Sequence, residues 1–238
     1  MNSTRKIAVT TGVVFIIATV AVLLAGVLVP HLTGANYLTS LSENANQVAA
    51  GALLYLIGAF ASAGIPISMY PVLKERDAGL ALGSVVFRSL EAAFYMVEIM
   101  ILLSLLTLSQ QFTGLGAADR TSLQALGDSL VSVHDHAMVL AVFAFSVGAF
   151  LYYYLLFQTR LIPRWLSGWG IAAVILMLAA CVLALFNDNP VNGYIPLAFP
   201  IFLQEMVLAV WLIVKGFDPA ASAAKSWKAE TKELLSAS

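Results

Sequence analysis

Apolar residues in this chain fall into long blocks, each near the roughly 20 residues that a helix needs to cross a bilayer, with short polar stretches between them. Six such blocks are readable: Ile7–Val29, Val48–Met69, Ala78–Leu108, Ala137–Phe157, Gly170–Phe186 and Ile195–Val214. The first follows a basic N-terminus but outruns the roughly 7–15 apolar residues of a signal peptide, so it is expected to be a retained helix. Two interruptions are longer. His31–Asn46 is polar and is expected to be a loop, and so is Ser109–Val133. Within the second, Asp119 or Thr121 can cap a short helix carrying Leu123, Leu126, Leu130 and Val133, expected to lie on the membrane surface. Pro66 is expected to kink the exit of the second block, and Pro163 to separate the fourth from the fifth. The tail, 220–238, is polar, charged and rich in small residues, with no domain of its own. The pattern predicts an all-α, polytopic integral membrane protein: a six-helix transmembrane domain over 1–219, then a tail.

Composition agrees. Of 238 residues, 61% are apolar and only 11% charged, where a soluble domain has about a quarter charged. No basic run is long enough to track a phosphate backbone, which argues against nucleic acid as a partner. Of the 12 lysines and arginines, Arg120 lies on the far side from the termini and Arg88 inside a span. The rest (Arg5, Lys6, Lys74, Arg76, Arg160, Arg164, Lys215, Lys225, Lys228, Lys232) fall on the side of the termini. That bias predicts cytoplasmic N- and C-termini.

The third block carries what apolar packing alone does not require. Arg88, Glu91, Tyr95 and Glu98 recur at three- and four-residue spacing and share one helical face. Each charge in mid-bilayer costs at least roughly 2.5 kcal/mol, so this face is expected to look at protein or water. Glu205, in the sixth block, is expected at a similar depth. Arg88 can pair with Glu91, with Glu205, or with both. Two uses are open: an ion-pair network that fixes helix packing, or a polar cavity for a solute, proton or ion.

Glu98 is left over. His134, Asp135 and His136, at the mouth of the fourth block, are its expected neighbours. Three roles suit that trio: an interfacial hydrogen-bond cluster, a proton relay, or a metal site completed by Glu98 or His31. The two histidines diverge on a helix and no HExxH is present, so no metal is assigned and no cofactor is expected. Tyr152–Tyr154 and the Arg160–Trp169 stretch read as interfacial belts, Cys181 as a small core residue, and Asp188 as a turn former.

Three stretches, YPVLKERDAGLALGSVVFRSLEA, LIPRWLSGWG and EMVLAVWLIVKGFDP, resemble in their order a bacterial membrane-protein family known as a domain of unknown function, number 4386. The resemblance runs from about Arg5 to Pro219 and implies a multi-pass protein of the bacterial inner membrane, with no activity to carry over. The chain is less similar to ceramidase-type intramembrane hydrolases, which need histidines converging from several spans; here all three sit at or beyond span ends. Three function classes follow: small-solute or ion transport or sensing at the buried charges, an accessory or assembly role, and an enzyme. The enzyme needs a nucleophile or metal, and only Glu98 near His134 offers one. Besides the bilayer, a partner membrane protein, a second copy of the chain, or a small ligand or ion is open.

Overall fold

A computed structural model describes residues 3–112, 116–187 and 190–220. Among these the chain is helical, with no strand. The order is α1 (Ser3–Leu28), α2 (Tyr37–Glu43), α3 (Ala45–Leu73), α4 (Ala78–Phe112), α5 (Ala117–Thr159), α6 (Arg164–Phe186), a 3-10 turn (Val191–Tyr194) and α7 (Ile195–Val214). All but α2 are long and apolar enough to cross a membrane, six in number. Their outward faces stay apolar and exposed (Leu23, Phe60, Met100, Ile175, Val210), as lipid contact demands.

Each long helix touches its neighbours in the order α1–α3–α4–α5–α6–α7, and α7 returns to α1, so the six close into a ring. Closure depends on Gly12. A Cβ at that position would lie 2.6 Å from the carbonyl oxygen of Ala209 and 2.7 Å from Cγ1 of Ile213, so α1 meets α7 backbone to backbone. Two turns nearer the terminus, Arg5 donates to the carbonyls of Leu212, Ile213 and Val214. These are the orphan acceptors at the C-terminal end of α7, where the helix dipole favours a cation. Gly216, at φ +76°, turns the chain away there. The contact fixes both described ends on one side of the ring, here called the terminal side.

That half of the ring is filled. Phe15, Ile65, Met69, Tyr152, Tyr153, Leu155, Leu156 and Leu208 form its plug, all essentially without solvent exposure. The tyrosines correct the belt expectation. Tyr152 and Tyr153 are core residues whose hydroxyls find acceptors on α7, and only Tyr154 reaches outward, stacked on Phe150. Counting from the true end of α5 at Thr159, the pair sits nearly two turns in, too deep for a headgroup layer.

Both expected loops are corrected as well. His31–Asn46 contains α2, whose Tyr37, Leu38 and Leu41 are buried against Val48, Ile101, Leu102 and Leu105. Ser109–Val133 holds no separate surface helix: α4 runs on to Phe112, and α5 starts after Gly116, without a side-chain cap from Asp119 or Thr121. No proline interrupts α5, and Leu123 and Leu130 pack on the α2 cluster instead of on a membrane, while Leu126 and Val133 are exposed. Gly127 is pressed against the Tyr37 hydroxyl. With 43 residues, α5 is roughly 65 Å long, about twice the hydrocarbon thickness. The α4–α5 pair therefore projects beyond the bilayer on the distal side, with α2 against its base. There Tyr37 donates to Asp128, and burial together with that carboxylate pushes the phenol pKa up, keeping the donor neutral.

Proline does not end α3, which carries Pro66 and Pro71 inside it and continues to Leu73. Pro163 does separate α5 from α6, standing at the N-cap of α6 after Arg160 ends α5 in a left-handed turn. Asp188, Lys225, Lys228, Lys232 and all but the first residue of the tail lie outside the described residues.

Candidate functional site

Above the plug the ring is hollow. A cavity of about 240 Å³ is walled by all six spanning helices: Thr19, Val22 and Leu23 of α1, Ser62 of α3, Arg88, Glu91 and Tyr95 of α4, Phe145 of α5, Met177 of α6, and Ile201, Phe202 and Glu205 of α7. That exceeds the roughly 10–15 Å³ one water needs, and is below the roughly 300 Å³ at which drug-sized sites begin. Its rim includes Val22 and Leu23, 37% and 53% exposed on the lipid-facing surface, so it opens sideways toward the bilayer in the distal half.

Arg88, Glu91, Tyr95 and Glu205 line the cavity, and Glu98 does not. The i,i+3 spacing on α4 brings Arg88 Nη1 to 2.8 Å from Glu91 Oε2, with each side chain almost fully buried. Of the three pairings left open for Arg88, the ion pair is thus with Glu91. Neither of these two atoms is aligned as a hydrogen bond, and Arg88 Nε is also without one. The other carboxylate oxygen of Glu91 accepts from Ser62 at 2.8 Å. The Arg88 guanidinium lies 4.5 Å from the centre of the Phe145 ring, a cation–π geometry. Gly148 makes room for it, because a Cβ there would meet Arg88 Cγ at 2.8 Å and the Arg88 backbone nitrogen at 3.1 Å.

Glu205 lies across the cavity. Its hydrogen bond comes from Tyr152, at a long 3.4 Å, and among the described residues it has no basic group within ion-pair distance. Next to it Gln204 accepts from Tyr153 and donates to the Leu166 carbonyl at 3.1 Å, locking α7 to α5 and α6. Tyr152, Tyr153, Ser62 and Gln204 are site residues that spacing on the third block could not show. Their only signal was polarity inside an apolar block, which Ser62 and Gln204 share with many packing residues.

Glu98 stands one full turn beyond Tyr95, 8% exposed, with Oε1 buried and without a hydrogen bond. Its charged neighbours are Asp135 and Glu91, both acids. The structure does not join it to the histidines: His134 Nδ1 lies 3.4 Å from Asp135, and His136 Nδ1 is 2.6 Å from the Ser132 carbonyl of its own helix. His136 and Asp135 instead line a separate distal pocket with Asp128 and Ser132. Among the described residues no group of three or more His, Cys, Asp or Glu could hold a metal, and His31 is exposed outside the ring. Cys181 is buried in an apolar cluster with Val142 and Ala184.

Residues 10–216 match the model of one protein family, described as "Domain of unknown function (DUF4386)". No curated protein and no solved structure matches the chain.

Proposed function

The chain belongs to the DUF4386 family, and from its geometry we propose that it binds a small cationic solute with an apolar body in the central cavity, as a carrier or sensor in the membrane. The observation that supports this is the charge count at the floor. One arginine faces two glutamates: Arg88 pairs with Glu91 at 2.8 Å, while Glu205 feels that arginine only from beyond ion-pair distance and is hydrogen-bonded to a tyrosine hydroxyl. An ammonium group placed beside Glu205 supplies the missing positive charge in a region of low dielectric, where such a pair gains most. The apolar, lipid-facing rim suits the rest of an amphiphile arriving from the bilayer. A charge network serving packing alone is the competing role, and it fits Arg88–Glu91, wedged between Phe145 and Gly148, better than it fits Glu205.

The purified protein is expected to gain thermal stability from short alkylamines or arylalkylamines, and none from sulfonates of the same chain length. Saturation at 100 times the dissociation constant corresponds to about 2.7 kcal/mol. Glu205→Gln keeps an acceptor for Tyr152 and removes the charge, so the variant should fold and lose the amine response. Amine stabilisation that persists in Glu205→Gln, or is equalled by the sulfonates, contradicts the proposal.

We further place the protein in the bacterial inner membrane with the terminal side in the cytoplasm, on the strength of the basic bias. Single cysteines at Ser42 and Asp119 should then react with an impermeant thiol reagent in spheroplasts, and a cysteine at the exposed Glu75 only after lysis. Labelling of position 75 in intact spheroplasts would invert the assignment.

A further inference from the structure

The terminal side carries a second pocket, of about 630 Å³, between the α5–α6 turn and the segment that follows α7. Arg160, Arg164 and Lys215 line it together with one acid, Asp218. Asp218 ties the two walls, since its backbone N–H donates to the Leu161 carbonyl at 2.9 Å while its carboxylate accepts from the N–H of Ala220. None of the three bases is in a salt bridge among the described residues. The terminal carbonyls of α7 are occupied by Arg5. Arg164 is held over the Phe157 ring at 5.2 Å. Trp211 forms part of the wall and meets Trp165 edge-on at 6.4 Å, with Trp165 more than half exposed. Tryptophan in that position marks the headgroup level of a bilayer.

We infer that this pocket binds a phosphate group, carried by an anionic lipid headgroup. Two arginines and a lysine line this pocket against one acid, an excess of two positive charges. Planar donors of this kind match phosphate oxygens, and basic pockets between spanning helices favour anionic lipids. The flanking indoles offer a surface to the glycerol and the first methylenes. A soluble phosphate has the same oxygens and lacks that apolar contact.

The test is native mass spectrometry of the full chain in a non-ionic detergent, offered phosphatidylglycerol and phosphatidylcholine with identical acyl chains. The wild type should retain phosphatidylglycerol selectively. Arg160→Asn with Arg164→Gln should lower retention about tenfold, the scale of one lost charge-assisted hydrogen bond. Arg160 sits at φ 56°, a conformation asparagine accepts readily, so the Arg160→Asn single variant should stay folded and show part of the loss. Arg164→Lys, which keeps the charge, should retain more than Arg164→Gln. Displacement of phosphatidylglycerol by millimolar inorganic phosphate would support a phosphate site open to soluble ligands. Equal retention of the two lipids, or unchanged retention in the double variant, overturns the assignment.

Discussion

Replacing Arg88 with leucine is expected to destabilise the protein by about 3–5 kcal/mol, the usual cost of removing one member of a buried ion pair. Arg88 and Glu91 are each 2% exposed. Without the guanidinium, Glu91 keeps the Ser62 hydroxyl, and Glu205 loses the charge of Arg88, the one basic group among the described residues that acts on it. Leucine also gives up the contact with Phe145. Much of the damage should be the stranded carboxylate, so Arg88→Leu combined with Glu91→Gln should recover part of it. Unfolding in mixed micelles measures all four corners of the cycle, and the coupling between the two positions is its result. A double variant no more stable than Arg88→Leu would show that the pair at 2.8 Å contributes nothing to the fold.

Gly12 and Gly26 should answer the same substitution differently, although both lie on α1. At Gly12 an added methyl carbon meets the backbone oxygen of Ala209 at 2.6 Å, and neither helix can yield without opening the ring. Gly12→Ala should cost about 1–3 kcal/mol, as overpacking does, and Gly12→Leu more, with loss of folded monomer on extraction. At Gly26 the nearest atom to such a carbon is the Tyr55 hydroxyl at 3.8 Å, an ordinary contact. Gly26→Ala removes the flexibility of glycine from a helix, and should be neutral or stabilising by about 0.5–1 kcal/mol. Thermal unfolding of the two alanine variants in one detergent gives the comparison. Equal losses would mean that close approach of α1 to α7 is not what the ring depends on.

The spans were legible because length and apolarity are local properties, and the charged face of α4 because its spacing is local too. Arg88, Glu91, Tyr95 and Glu98 all turn inward or line the ring as their periodicity requires. What periodicity on one helix cannot supply is the partner on another. That Glu91 takes the hydroxyl of Ser62, that Glu205 takes that of Tyr152, and that Glu98 has the charge of Asp135 near it are all set by helix rotation and depth across the ring. The two misjudged loops have a different cause. The seven residues of α2 are polar on one side, and their buried side (Tyr37, Leu38, Leu41) makes sense only once the distal ends of α4 and α5 are there to receive it. For the same reason α5 looked like a span preceded by a surface helix: its polar N-terminal half is helical throughout, but leans on protein.

The contact that closes the ring joins the first helix of the chain to the last. During synthesis α1 leaves the ribosome long before α7 exists, so the face around Gly12 and the guanidinium of Arg5 must wait while four other spans are inserted. Until then the sixth wall of the cavity, with Glu205, is missing. Without α7 the ring has no contact to close it between α6 and α1. The seam is fastened at the terminal-side lip, where three carbonyls at the end of α7 are met by an arginine near the start of α1.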